Sequence, residues 1–198
     1  PHFGEAIVVE QPLIGPWPPA GGGDSYYNYN MQLADGNRID LSFFHLDTLA
    51  DRLKDSLTEI LLDKDGIVPP IPPANGSSYY IAKPTRQLYD GCCTGFLFAL
   101  GSHIPKTIWR KNLPSLKFLI EGWLREPLLM MLGWEVGIRS GWEQSLGFKG
   151  KYLQSCMAPE AWNEYKETFV DSDFGKLWES LFLFHRIFET SAQFVAQS

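Results

Sequence analysis

Two stretches near the start of the chain alternate between apolar and polar residues, as strands with one buried face do. In residues 26–33 (YYNYNMQL) the apolar side chains fall at every second position, and residues 38–44 (RIDLSFF) repeat this pattern. Asp35-Gly36 lies between them, and glycine accepts the positive φ that a tight hairpin turn needs. These residues therefore predict an antiparallel hairpin.

Other patterns surround the hairpin. The apolar run at residues 5–10 predicts a short strand, and the Pro- and Gly-rich residues 11–24 predict a loop. After the hairpin, leucines recur at helical spacing from residue 46 to residue 61. We expect a helix there that begins with Asp47 as N-cap, because its carboxylate can accept a backbone N–H of the first turn.

From Pro84 onward the periodicity is helical almost throughout. Two prolines fall inside these patterns, and Pro105 and Pro127 should interrupt or kink their helices, because proline lacks an N–H and clashes with the preceding turn. The glycines that begin at Gly133 predict that the segment up to residue 150 ends in a loop. Helices are expected from Pro84 to the interruption at Pro105, then at about 106–112, 114–132, from 159, and at 173–196.

Composition changes along the chain in step with these patterns. Six of the 7 Trp lie after residue 108, whereas most of the 14 Pro lie before residue 74. The sequence therefore predicts an α+β protein with a β-sheet domain at residues 1–70 and an α-helical C-terminal domain at residues 79–198. A Pro-rich connector separates the two domains.

Charge and cysteine content exclude several classes. The net charge is −6, so nucleic acid is a poor partner, and no apolar run is long enough to cross a membrane. Three cysteines, two of them adjacent, argue against a disulfide framework, and no signal peptide is visible, so the cytoplasm is the expected compartment. Residues 100–151 carry 8 basic and 4 acidic side chains, which indicates either an anion site or solvated helix faces.

A few polar residues are candidates for chemistry. Asp40 lies on the polar side of its strand, where a rigid carboxylate can hold a hard cation or take a proton from a hydroxyl. Taken alone, this position is more typical of a solvated surface residue. The same two interpretations apply to Lys64 in its charged turn, to Lys106, and to Lys151 in a glycine-rich turn, where the functional one is phosphate binding.

The order of several motifs along the chain indicates more about function than any single residue does. From Met31 onward the chain resembles the aminoglycoside 6-adenylyltransferases, also called streptomycin adenylyltransferases, of the nucleotidyltransferase superfamily. The resemblance rests on eight motifs in order: 35–42 (DGNRIDLS), 61–66 (LLDKDG), 83–85 (KPT), 92–93 (CC), 106–110 (KTIWR), 132–138 (LGWEVGI), 150–153 (GKYL) and 177–182 (LWESLF).

The resemblance implies transfer of AMP from ATP to a hydroxyl of an aminoglycoside such as streptomycin, with release of pyrophosphate. It also implies that residues 1–70 form part of a mixed nucleotidyltransferase β-sheet. The family holds two Mg²⁺ ions by three carboxylates, of which Asp40 matches the third and could also act as base. Basic residues become candidates for ATP phosphate contacts: Lys64, Lys106 and Lys151. Three further residues become candidates for substrate binding: Trp109, Trp134 and Glu135.

Some positions differ from the family pattern. The Asp-x-Asp segment that carries the other two carboxylates is expected upstream of the strand at residues 5–10, and nothing in this sequence matches it. Gly95 stands where the family has Glu, and Phe148 stands where it has Lys. These differences favour an alternative, a catalytically inactive homologue that binds a nucleotide or an aminoglycoside. A helical adaptor is a weaker alternative, because it leaves the Asp40 motif unexplained.

Overall fold

The computed structural model describes residues 4–10 and 26–198, so the predicted loop at 11–24 lies outside the described residues. The chain divides into two compact units, Pro1–Ser78 and Tyr79–Ser198. We call them the sheet unit and the helical unit. In the part of the chain that is described, no helix is long and apolar enough to span a membrane.

Three strands form the sheet unit: β1 (Ala6–Glu10), β2 (Tyr26–Leu33) and β3 (Arg38–Phe44). Their spatial order follows the sequence, and both pairings are antiparallel. The predicted hairpin is confirmed. A mixed sheet was expected, whereas all the described strands are antiparallel. A helical unit follows the sheet, so the predicted α+β class is confirmed.

The hairpin turn is closed by its own side chains. Gly36 has φ +88°, a backbone conformation that only glycine adopts readily. Asp35 accepts hydrogen bonds from the backbone N–H and the side-chain amide of Asn37, each 2.9 Å long. These hydrogen bonds lower the pKa of Asp35, the backbone one most strongly. The turn sets the register in which Met31 lies opposite Ile39 and Asn30 lies opposite Asp40.

The long helix predicted after the hairpin is wrong beyond its first turns. A 3₁₀ turn at Leu46–Thr48 leads into α1 (Leu49–Arg52), and the chain then continues without a further helix to residue 76. Asp47 is not an N-cap but pairs with His45, Oδ1 to Nδ1 3.0 Å. Three of the leucines that suggested the helix are exposed, namely Leu46, Leu57 and Leu61, the last by 93%. Without a surface to bury them, helical spacing alone does not stabilise a helix.

The helical unit contains α2 to α8, and short 3₁₀ turns lie at Ser77–Tyr79 and Phe148–Gly150. The helices are α2 (Arg86–Phe98), α3 (Ile104–Trp109), α4 (Leu113–Leu119), α5 (Glu126–Arg139), α6 (Leu153–Cys156), α7 (Pro159–Glu167) and α8 (Phe174–Ala196). Their apolar faces meet in one core, where Phe96 stacks on Phe188 with ring centroids 3.8 Å apart.

Each internal proline follows a π-helical turn. Such turns occupy Ala99–His103 before Pro105 and Ile120–Arg125 before Pro127. A proline inside a regular α-helix clashes with the carbonyl of the preceding turn, and the wider π turn, with its i→i+5 bonds, moves that carbonyl away. The predicted interruptions are therefore local changes of helix type, and the chain continues in helical conformation through both.

Glycines in α5 do not end the helix, contrary to the sequence prediction. Gly133 and Gly137 lie inside α5, which continues to Arg139. A Cβ at position 137 would meet the indole ring of Trp142 at 2.5 Å. Glycine is therefore present at 137 because Trp142 packs directly on the helix backbone. A sequence pattern cannot distinguish a glycine required by such packing from a glycine that marks a loop.

Candidate active site

The polar side of the sheet brings two carboxylates into one cross-strand row. Glu10 on β1 lies opposite Asn30 on β2, and Asn30 lies opposite Asp40 on β3. The side-chain amide of Asn30 donates to Oε2 of Glu10 at 2.7 Å. We call these three residues the carboxylate row. The row stands on short paired strands, whose backbones hold its three residues in place. Its side chains therefore need little ordering to act on a ligand.

One carboxylate oxygen of Asp40 is paired with a neighbouring cation. The Arg38 Nε donates to Asp40 Oδ1 at 2.7 Å, and about half of the Asp40 side chain is exposed. This hydrogen bond and the attraction of Asp40 raise the pKa of Arg38, and the charge of Glu10 adds to the effect. Asp40 Oδ2 takes no hydrogen bond from the described residues, so it can accept a proton or bind a cation.

The carboxylate row alone does not complete the expected metal site. The resemblance implies three carboxylates for two ions, whereas Glu10 and Asp40 are two. Within residues 4–10 and 26–198, no group of three or more His, Cys, Asp or Glu side chains is placed to hold a metal ion. The described residues therefore do not complete a two-Mg²⁺ centre by themselves.

The charged turn at residues 63–66 owes its shape to Asp63. Its carboxylate accepts the backbone N–H of Val68 at 2.9 Å and of Ile67 at 3.3 Å, and these bonds, the one from Val68 first, lower the pKa of Asp63. Gly66 completes the turn with φ +63°. Lys64 is exposed at the surface of this turn, so its ammonium is available to an anion.

The remaining basic candidates are exposed on the helical unit. Lys106 lies on α3 beside Trp109, whose side chain is 87% exposed. Lys151 follows the 3₁₀ turn Phe148–Gly150, and its ammonium lies 5.2 Å from the ring centroid of Tyr152. These positions are compatible with contacts to an anionic ligand, and their assignment to ATP phosphates stays a prediction.

Trp134 and Glu135 are neighbours on α5 with different surroundings. Trp134 is 4% exposed and packs in the core near Tyr89, with ring centroids 6.3 Å apart. Glu135 faces a surface pocket, where its Oε1 accepts from both Nε and Nη2 of Arg139. Substrate binding by either residue stays a prediction. Glu135 lines the pocket between α5, α7 and α8.

The predicted residues are divided between the two units. Asp40 and Lys64 lie in the sheet unit, and the other five lie in the helical unit. Within the described residues, no hydrogen bond or ion pair links any two of the seven. Sequence reasoning missed Glu10 and Asn30, because their place in the carboxylate row depends on the pairing of β1 with β2. The polar residues 28, 30 and 32 of β2 were the available signal.

The fold of this chain is similar to that of a solved protein. The small antiparallel sheet followed by a helical unit resembles the structure of an aminoglycoside 6-adenyltransferase from Bacillus subtilis. That structure matches 98% of this chain and 72% of its own, with a TM-score of 0.57 and 24% identity, which establishes likeness of fold.

The family follows from the sequence itself. The streptomycin adenylyltransferase family model matches residues 1–198, and the chain belongs to this family. It is 29% identical over 181 residues to the aminoglycoside 6-adenylyltransferase of Campylobacter jejuni and 28% identical over 190 residues to that of Staphylococcus aureus. These alignments cover 90% and 94% of this chain, and the chain spans 61% and 66% of the two relatives' lengths.

Proposed function

We propose that the protein transfers AMP from ATP to a hydroxyl of an aminoglycoside such as streptomycin, with release of pyrophosphate. The observation that carries this proposal is Asp40. It stands on β3 in the family motif 35–42, and one of its oxygens is available on the carboxylate row. The family match over residues 1–198 and the two adenylyltransferase relatives support it.

In the proposed reaction Asp40 acts on the attacking hydroxyl. The hydroxyl oxygen forms a bond to the α-phosphorus of ATP, the bond from that phosphorus to the bridging oxygen of pyrophosphate breaks, and Asp40 Oδ2 takes the hydroxyl proton. Arg38 holds the other carboxylate oxygen at 2.7 Å and so orients the group. Asp40 would contribute one ligand to the Mg²⁺ that the family resemblance implies, and the described residues do not supply the rest of that site.

The charge distribution suits the two proposed substrates. Residues 1–99 hold 12 acidic and 6 basic side chains, and an acidic surface attracts a polycationic drug over long range. The exposed ammonium groups of Lys64, Lys106 and Lys151 are the proposed contacts for the ATP phosphates. Trp109, Trp134 and Glu135 are the proposed contacts for the drug, and a cytoplasmic location remains part of the same proposal.

The test is release of pyrophosphate by purified protein with ATP, Mg²⁺ and streptomycin. Asp40→Asn should lower the turnover at least 100-fold, because the amide accepts no proton. Asp90→Asn is the matched control, since Asp90 also pairs with one arginine, Arg86, by a 2.7 Å ion pair. It should keep its rate.

Three outcomes decide between the proposals. Loss of release with Asp40→Asn alone supports the transferase. No release with any aminoglycoside, together with measurable binding of ATP or of the drug, favours the inactive binding homologue. An active Asp40→Asn variant removes Asp40 from the mechanism.

A further inference from the structure

An open groove of about 580 Å³ runs along the surface of the helical unit, between α2 and the start of α5. It is lined by residues without charge: Thr85, Gln87, Leu88, Gly91, Cys92, Pro127 and Met130. A charged ligand would find no ion pair here, whereas the core of an interface between proteins is itself depleted of charge. We call it the α2–α5 groove.

Large apolar side chains along both walls of the groove are about half exposed. Leu88 and Phe98 belong to α2, and Phe98 is 60% exposed. Trp123 and Met130 belong to the facing helix, and Met130 is 43% exposed. The ring of His103 lies between those of Phe98 and Trp123, with centroid distances of 5.1 and 5.0 Å, so the two walls meet at that end. An apolar surface of this kind is typical of an interaction site.

Two glycines lie on the exposed face of α2, between Leu88 and Phe98. A Cβ added at Gly91 or at Gly95 would meet no atom within 4 Å, so packing inside this chain does not require glycine at either position, unlike at Gly137. Glycine also lowers the stability of a helix interior. What two glycines one turn apart do provide is a flat surface, on which the backbone of a second helix can come close.

The order of side chains along this face fits a second copy of the same helix. Leu88, Gly91, Gly95 and Phe98 are spaced by three, four and three residues, so the pattern of large and small side chains is the same in both directions. A two-fold axis near position 93 would set two α2 helices antiparallel. The glycines would then lie where the helices are closest, and Leu88 of each copy would lie beside Phe98 of the other, as a self-complementary interface requires.

We propose that the chain forms a two-fold symmetric homodimer through the α2–α5 groove, with the two α2 helices antiparallel. The half-exposed side chains and the glycine face supply roughly 500 Å² per copy, so the dimer buries about 1,000 Å² in total, the lower limit of a specific interface. An interface of this size gives a weak dimer, and we expect a dissociation constant of ~10–100 μM. None of the residues proposed for AMP transfer lines the groove, so the proposal does not depend on that reaction.

The test is sedimentation velocity of the purified chain at concentrations from ~1 to ~500 μM, which span the expected dissociation constant. The mass should rise with concentration from the 22.5 kDa of one chain toward twice that value. Gly95→Arg and Met130→Arg place a charge on each wall and should remain monomeric throughout. Leu97→Arg is the matched control, because Leu97 is exposed on the other side of α2, ~200° around the helix from Gly95. It should dimerise as the unmodified chain does.

Gly95→Ala separates loss of the interface from loss of the fold. Alanine is the better helix former and has open space at this position, so the urea midpoint of the dilute, monomeric protein should rise. The same methyl group holds the two helix backbones apart in the dimer, so dimerisation should weaken roughly tenfold. A damaged fold would lower the midpoint instead.

A chain that stays monomeric at the highest concentration would overturn the proposal, since the groove would then have some other occupant. A dimer that persists in Gly95→Arg and Met130→Arg, or one that is lost in Leu97→Arg as well, would overturn it too. Pyrophosphate release is measured on the same variants. A dimer without AMP transfer contradicts the proposed function only, and transfer without a dimer contradicts the groove interface only.

Discussion

Arg125 is a cation buried in the helical unit, and replacing it tests how that unit is held together. Its side chain is 7% exposed, and Nη1 donates to the hydroxyl of Thr168 at 2.7 Å, while Nη2 donates to the Thr168 carbonyl at 3.3 Å. The guanidinium carbon lies 3.6 Å from the ring centroid of Phe169. Arg125 thus connects the π turn before α5 to the end of α7.

The expected cost of Arg125→Ala follows from these contacts. The ion pair with Glu121 contributes at most ~1 kcal/mol, because about half of the Glu121 side chain is exposed and solvent screens it. The hydrogen bonds to Thr168 are worth ~1.5–3 kcal/mol and the stacking on Phe169 is worth ~2 kcal/mol. Since these contributions are not additive, we expect a loss of ~3–5 kcal/mol in the free energy of unfolding.

Urea unfolding followed by tryptophan fluorescence measures this loss. Six of the 7 Trp lie after residue 108, so the signal reports the helical unit. At a slope of ~2 kcal/mol per molar urea, the midpoint should fall by ~2 M. Arg125→Met keeps much of the volume and should lose less, ~1–3 kcal/mol.

The control is Arg86→Ala, which removes an exposed i,i+4 pair with Asp90 and should lose under ~1 kcal/mol. A loss below ~1 kcal/mol for Arg125→Ala, no larger than that of the control, would refute the reasoning that the buried guanidinium holds these segments together.

Further predictions concern packing, pH and thiol reactivity. Gly137→Ala should destabilise by ~1–3 kcal/mol in urea unfolding, because the new methyl overlaps an indole ring. Gly91→Ala, with open space around it, should stabilise by ~0.5–1 kcal/mol. Equal effects of the two substitutions would contradict this packing. The pKa of Asp63 is lowered by folding, so its contribution to stability is present above the ordinary carboxyl pKa of ~4 and is lost as pH falls. Asp63→Asn should therefore flatten the acid side of a curve of stability against pH. An unchanged acid side would contradict this prediction. Burial raises the pKa of Cys92 to about 12, so at pH 8 iodoacetamide should label Cys93 well before Cys92, and equal rates in the folded protein would contradict the burial.

The hairpin and most of the helical unit could be predicted because each signal is local. The alternation in β2 and β3 and the Asp35-Gly36 turn depend on neighbouring residues only. The same holds for the last helix, where Asp173 accepts the N–H of Lys176 as N-cap. Local chemistry of this kind is visible in a sequence.

The sequence-based predictions were wrong or incomplete where an element or a site depends on a contact between residues distant in the sequence, or where an expected contact is missing. Leu57 and Leu61 continue the helical spacing, yet both are exposed, so periodicity misled the prediction. Glu10 joins the candidate site through a strand 20 residues away. Leu88 and Met130 line one groove only because α2 packs on α5. The position of Asp40 was predictable, whereas its neighbours required the fold.

The π turns before Pro105 and Pro127 act as one-residue insertions into otherwise regular helices. One extra residue rotates everything beyond it by ~100° about the helix axis. The buried positions before and after Ile120–Arg125 therefore follow two different numbering phases, and Leu128 and Met131 beyond the turn are buried in the core. Deleting a single residue there would restore a regular helix and keep these side chains on the core side, because the deletion cancels the insertion. A comparison of family members that ignores the offset would assign the wrong face to all of α5.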